Sequence, residues 1–257
     1  MAEAHYAGGF HAVEAALAGG RVRRLLLAEG RGDARLQALL ARADGVPVVR
    51  VARRELDSRV PGRHQGVIAE LAAGSGDGSG ELLDEGELES LLDALGSTGA
   101  APLLLVLEGL TDPRNLGACL RSADGAGVDA VIVPRSRTAP LNSAARNVAS
   151  GAAETVPLIG VANLARTLAW LGQRGVTLVG LAGEGEVMPW QVDLSGPVAV
   201  LMGSEDKGLR RLSREACDHL VALPMAGSVE SLNVSVAAGI ALFEVVRQRT
   251  LATAGVR

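Results

Sequence analysis

Aromatic side chains are almost missing from this chain: two Trp, one Tyr and two Phe in 257 residues, 2% of the total against 48% hydrophobic. Ala, Gly, Leu and Val must therefore do most of the packing. Cysteine is nearly absent as well. Cys119 and Cys217 lie far apart, with no pairing pattern and no metal-ligand spacing around either, which excludes a disulfide scaffold. They read as two reduced core thiols in a cytoplasmic protein. The histidines, His5, His11, His64 and His219, are too scattered to suggest a metal site, and no metal is expected. No apolar run reaches transmembrane length and the N-terminus lacks a signal-peptide design, so no membrane partner is expected either. Lysine is reduced to Lys207 alone among 25 basic residues. Arginine suits bidentate phosphate contacts, yet the same bias can reflect a GC-rich genome.

What is present is unevenly spread. The net charge of −4 argues superficially against a nucleic-acid partner. Residues 1–72, however, carry 11 Arg and 8 acidic side chains, and residues 73–102 carry seven acidic and no basic ones. The acidity belongs to a connection, "AAGSGDGSGELLDEGEL" (72–88), whose Gly, Ser and Asp make it flexible. "ELESLLDAL" (87–95) has helical apolar spacing within it. The expected organisation is a small α/β unit over 1–72, a linker over 73–101 and a larger unit over 102–257.

In the first unit, 11–17 and "DARLQALLARADG" read as helices, the latter closed by Gly45, and "RRLLLAEG" as a strand ending in a turn; two further apolar stretches, "VPVVRV" and "VIAEL", follow. In the second, "PLLLVLE" (102–108), "DAVIVP" (129–134), "VTLVGL" (176–181), "PVAVLMG" (197–203) and "HLVALP" (219–224) are short continuous apolar runs. Helical patterns near 115–127, 142–151, 162–173, 208–217 and 232–247 separate them. Strands buried on both faces and alternating with helices predict an α/β fold with a mostly parallel sheet. Ligands bind such sheets beyond the carboxyl ends of the strands, which points to loops 109–115, 182–190, 203–208 and 224–232.

The usual cofactor loops fail there. "GLAGEGEV" has Met188 where the third glycine of a dinucleotide fingerprint belongs, and "GSEDKGL" has Leu209 where a phosphate-binding Lys belongs. Nicotinamide, flavin and ATP sites are disfavoured, and so is the common Rossmann-type methyltransferase. Three polar clusters remain: Asn115 and Arg121, then Glu205, then Ser231 and Asn233. Taken singly, Asn115 and the Ser-Leu-Asn stretch are ordinary N-caps, and Arg121 is a solvated helix residue. Together they occupy three strand-to-helix junctions at one end of one sheet.

Those residues carry a resemblance. "TDPRNLGACLRSADGAGV", "VLMGSEDKGL" and "LPMAGSVESLNVSVAAGIALFE" are similar, in this order, to the three motifs of the SpoU/TrmH family of RNA ribose 2′-O-methyltransferases. "YAGGFHAVEAAL" and "HQGVIAEL" resemble the first domain of those members that methylate a guanosine in the peptidyl-transferase region of bacterial 23S rRNA. The resemblance implies a C-terminal SPOUT domain with a deep trefoil knot that binds S-adenosyl-L-methionine and forms a homodimer. It also implies an N-terminal domain similar to the ribosomal protein L30e, helping to hold RNA, and it leaves no role for DNA. By position, Gly203, Leu223 and Leu232 would line the methyl-donor pocket, while Asn115, Arg121, Glu205, Ser231 and Asn233 would form the polar active site. Dimerisation would complete that site. His64, Gln65 and Gly66 match a recurrent stretch of the first domain; Asp206 departs from the glycine common in relatives.

The family proposal makes the Arg121 position a base, but a guanidinium ordinarily titrates above about 12. The preferred role is milder: Arg121 clamps the neighbouring phosphate and orients the 2′-hydroxyl. Three competing readings stand beside this one: the same chemistry on transfer RNA, a non-catalytic RNA-binding assembly factor, and a nicotinamide dehydrogenase, the last disfavoured by the missing glycine fingerprint.

Overall fold

The computed structural model describes residues 6–18, 22–60, 64–71 and 82–255, so the Gly/Ser-rich half of the connection and His5 lie outside the described residues. The first unit runs β1 (Tyr6–Gly8), α1 (Phe10–Ala18), β2 (Val22–Ala28), α2 (Ala34–Arg42), β3 (Val48–Val51), α3 (Arg53–Arg59) and β4 (Val67–Leu71). Its sheet has the order β1-β4-β2-β3, with β4 antiparallel to both neighbours and β2 parallel to β3. The expected strand forms as β2, and the two apolar stretches form β3 and β4. Two elements were not anticipated: β1, three residues long, and α3, whose "RRELDSR" buries Leu56 alone and so offers no amphipathic signal. Helix α2 starts where Asp33 accepts from Leu36 N at 3.0 Å, but it ends at Arg42, and Gly45 serves the turn beyond it.

The connection divides in two. Asp84 caps α4 (Glu85–Thr98) through a reciprocal capping box with Glu87, and Gly99 closes it in the left-handed region. Leu88 and Leu92 of α4 are buried in the core of the second unit. Leu83 bridges Ile159 there, so residues from 82 onward belong physically to that unit rather than to a free linker.

The second unit continues through β5 (Leu103–Leu107), α5 (Pro113–Ala126), β6 (Ala130–Pro134), α6 (Ser143–Ala149), α7 (Ala152–Thr155) and β7 (Leu158–Val161). It ends with α8 (Leu164–Gln173), β8 (Thr177–Leu181), β9 (Val198–Met202), α9 (Arg211–Ala216), β10 (His219–Val221) and α10 (Val234–Thr253). All six strands are parallel, in the order β10-β8-β9-β5-β6-β7. Strand side chains alternate between faces. Leu103, Leu105 and Leu107 therefore meet α5 and α10 on one side, while Leu104 and Val106 meet α4 and α8 on the other. Each such fully buried side chain contributes about 1.5–3 kcal/mol, which explains why the central runs are apolar without interruption.

Two departures from the expected pattern have local causes. The helix over 142–151 breaks because Ser150 (φ 53°) and Gly151 (φ 103°) turn left-handed, giving α6 and α7. Strand β7 escaped the sequence reading because it is short and contains Gly160, where a Cβ would sit 2.6 Å from Leu82. A glycine at that position is what lets the chain entering α4 lie across the strand.

Candidate functional site

At the carboxyl edge of the second sheet lies an open cavity of about 640 Å³. Its walls come from the ends of β8, β9 and β10, the loops after them, and the first turns of α5 and α10. Seven of the eight site residues expected from the sequence line it: Asn115, Gly203, Glu205, Leu223, Ser231, Leu232 and Asn233.

Helix capping aims the polar members. Asp112 caps α5, accepting from Arg114 N at 2.8 Å, with Pro113 at the first helical position. Asn115 is therefore not the cap; it stands in the first turn with its amide free for other partners. Its Nδ2 donates to Glu205 Oε1, and its Oδ1 accepts from Asn233 Nδ2 at 3.1 Å. Asn233 caps α10, its Oδ1 accepting from Ser235 N at 2.9 Å and Ser235 Oγ at 2.6 Å. The capping and site readings of this residue hold together. The result is a directional relay, Ser235 to Asn233 to Asn115 to Glu205, in which each amide's orientation is dictated by its neighbour.

The loop after β9 is folded tightly on itself. Ser204 and Gly208 exchange backbone hydrogen bonds of 3.1 and 2.8 Å, and a Cβ on Gly203 would sit 1.9 Å from the Gly208 carbonyl carbon. Only glycine permits that closure. Behind this loop, burial pushes the Cys119 thiol up to about 12, with the Glu205 carboxylate adding to the effect.

Arg121 is placed elsewhere. Six residues beyond Asn115, it lies about 240° further round the helix, is exposed, and donates through Nη1 to Ser150 Oγ at 3.4 Å. It does not line the cavity of its own chain.

The sequence reading missed four carboxylates or cations in the lining: Asp112, Glu184, Glu230 and Arg214. Arg214 donates through Nε to the Leu209 carbonyl at 2.9 Å and pairs with Glu184, tying the loop after β9 to the loop after β8. Nothing in "RRLSREAC" distinguishes that arginine from its neighbours. Glu184, between the glycines of "AGEGE" at a strand end, did offer a signal. With four carboxylates and one guanidinium around apolar side chains and loop backbone, the cavity suits a cationic ligand with an apolar, flat part. Its volume falls in the range of small-molecule sites.

This geometry of loops on a parallel sheet has a family. Residues 102–243 match the model of the SpoU rRNA Methylase family, and residues 6–75 match that of the RNA 2′-O ribose methyltransferase substrate binding domain. The chain belongs to the SpoU rRNA methylase family. Among its relatives, the 23S rRNA (guanosine-2′-O-)-methyltransferase RlmB of Pseudomonas aeruginosa is 54% identical over 246 residues, 94% of this chain and 96% of that protein. The protein of the same name in Escherichia coli is 49% identical over 94% of this chain and 98% of its own length. Among solved structures, the SpoU methyltransferase AviRb from Streptomyces viridochromogenes, in complex with the cofactor AdoMet, superposes with a TM-score of 0.76. It shares 26% identity over 96% of this chain and 91% of that one.

Proposed function

We propose that this chain transfers a methyl group from S-adenosyl-L-methionine to the ribose 2′-oxygen of a guanosine in 23S rRNA. The observation that carries the reading is the relay Asn233–Asn115–Glu205 at the mouth of a cavity framed by three loops. The near half-identity or better to named 23S rRNA enzymes along almost the whole chain supports the substrate.

The donor set fits the methyl donor. Leu223 and Leu232 offer apolar surface to the adenine, the Gly203 loop offers backbone, and the surplus of carboxylates favours a sulfonium cation. Bound there, the cofactor supplies an already activated methyl group, so no metal is needed. The chain's own residues position the acceptor. Asn115 and Asn233 hold the ribose, Ser231 contributes a hydroxyl near the same edge, and Glu205 fixes the amide of Asn115. Such preorganisation can contribute on the order of 7–11 kcal/mol in favourable cases.

Arg121 enters this reading from a second copy of the chain. Val236, Ile240 and Phe243 form an exposed apolar ridge on α10, 49, 41 and 50% accessible, beside Gly125 of α5. A homodimer burying that ridge would carry Arg121 toward the partner's cavity, where it clamps the phosphate and orients the hydroxyl. The same reading includes a trefoil knot in the C-terminal chain path and an L30e-like first domain. It assigns 1–72 to RNA binding, 73–101 to the connection and 102–257 to catalysis. No helix among the described residues is long and apolar enough to cross a membrane, which suits work on rRNA in the cytoplasm.

The test is a nucleotide-resolution map of 2′-O-methylation after incubating the protein and S-adenosyl-L-methionine with unmodified 23S rRNA. Transfer RNA and an Arg121→Ala variant run in parallel. One new methyl on a guanosine of 23S rRNA, lost in the variant, is expected. Methylation of transfer RNA alone, or cofactor binding without methylation of any RNA, overturns the reading.

A further inference from the structure

Three non-glycine residues among those described have positive φ: Gln65, Arg137 and Ser150. Gln65 (φ 52°) is followed by Gly66 (φ 72°), and the His64 carbonyl accepts from Val67 N at 3.1 Å. Those are the marks of a type I′ turn, whose first central position normally holds Asn, Asp or Gly. Glutamine gains nothing from the left-handed region: its side chain is too long for the local backbone bonds that favour Asn there. Outliers of this kind persist where the surroundings over-determine them, and they concentrate at binding sites.

The surroundings here do over-determine it. His64 is 1% exposed; its Nδ1 accepts from Gly66 N at 3.0 Å, which leaves Nε2 to donate to Asp57 Oδ1 at 2.8 Å. The peptides on either side of Gln65 are thereby held from the interior, while the Gln65 side chain is exposed and has no hydrogen-bond partner among the described residues. Beside the turn, a Cβ on Gly66 would meet Arg31 Cδ and Nη1 at 3.2 Å. The guanidinium of Arg31 lies 4.8 Å over the Phe10 ring, and Arg50 donates to the Arg31 carbonyl at 2.9 Å. A primary amide thus projects from a rigid turn with the Arg31 guanidinium beside it, held in place by its ion pair with Asp33 at 2.7 Å.

We infer that the Gln65 amide reads the edge of an unpaired rRNA base, with Arg31 beside it engaging the adjoining phosphate. Glutamine offers a donor and an acceptor side by side, the pattern that pairs with a base edge, and sequence-specific RNA recognition targets unstacked loop bases. The inference rests on the proposed rRNA reading and adds to it a specificity residue in the first unit, remote in sequence from the chemistry.

The full-length chain and its Gln65→Gly and Gln65→Asn variants test it, by filter binding to a 23S rRNA domain and to a transfer RNA, with methylation assayed alongside. Both substitutions suit the left-handed backbone, so fold and turn survive; only the amide's reach is lost. The expected result is about tenfold weaker binding to the rRNA domain, raised KM for RNA, unchanged kcat at saturation and unchanged cofactor affinity. Wild-type affinity in Gln65→Gly overturns the inference, as does equal weakening on both RNAs. If wild type methylates nothing yet the variants lose rRNA binding selectively, the inference stands and the catalytic reading fails.

Discussion

The two sheets treat the same edge in opposite ways. In the second sheet every strand points one way, so all the following loops gather at one rim and leave a hollow of about 640 Å³ between them. In the first sheet the corresponding edge, where β2 ends and β4 begins, is plugged. His64 is buried there, and a Cβ on Gly8 would already sit 2.7 Å from Val60 Cγ1. A hollow rim can enclose a small molecule and remove it from water. A plugged rim can only display side chains outward, at fixed positions, to something large. The pairing of a hollow rim with a filled one suits an enzyme acting on a folded polymer.

The sharpest way to break this comparison is to fill the hollow at its narrowest point. Gly203→Ala places a methyl 1.9 Å from the Gly208 carbonyl carbon, so the loop after β9 must open. Calorimetry should show cofactor affinity falling at least a hundredfold, with RNA binding through the first unit within threefold of wild type. An affinity for the cofactor near that of wild type would mean that the loop does not form the pocket wall. Next in size is Asn115→Ala, which removes the middle of the relay joining Glu205 to Asn233. The expected loss is about a hundredfold in kcat, in line with removal of one preorganised donor, at nearly unchanged cofactor affinity. Parallel losses in kcat and cofactor binding would make Asn115 part of the donor pocket instead.

The plugged rim answers to a different change. His64→Ala leaves Gly66 N without its acceptor and opens a gap under the turn, costing about 2 kcal/mol. Thermal unfolding should register this in the first unit, while cofactor affinity stays constant. If cofactor affinity falls too, the two rims are coupled more closely than their separate sheets suggest.

Much of this was legible in the sequence. Uninterrupted apolar runs announce strands buried on both faces, and all five expected in the second unit form. The positions of Asn115, Glu205 and Asn233 at strand-to-helix junctions located the cavity, because a parallel sheet sends such junctions to one rim. What the sequence hid is what depends on distance in space. Arg214 and Glu184, separated by thirty positions and an intervening strand, meet only because two loops fold together. The six-residue step from Asn115 to Arg121 looks like proximity along the chain, yet it turns the arginine away from its own cavity toward Ser150. The part of the expected linker from residue 82 onward is bound to the core of the second unit by Leu83, Leu88 and Leu92, contacts that its acidic composition did not announce.

A change of pH separates the two units without a substitution at either rim. Burial pushes the Cys119 thiol up to about 12 and that of Cys217 up to about 11, from an ordinary value of 9.0. The unfolded chain therefore releases both protons at lower pH than the folded one. The contribution to stability is intact below pH 9 and is lost progressively as pH rises from there through the folded values. Both thiols lie in the second unit, and so do Trp170 and Trp190, the chain's two tryptophans. Urea midpoints followed by tryptophan fluorescence should fall between pH 8 and pH 10.5, and a Cys119→Ala, Cys217→Ala double variant should show a shallower fall. Other groups titrate in that range, so the difference between the two slopes, rather than either slope, isolates the thiols. The same difference sought in the first unit, through the signal of its single tyrosine, Tyr6, should be absent unless the two units unfold as one. A shared midpoint and a shared pH slope would show that the plugged rim and the hollow one are parts of a single cooperative body.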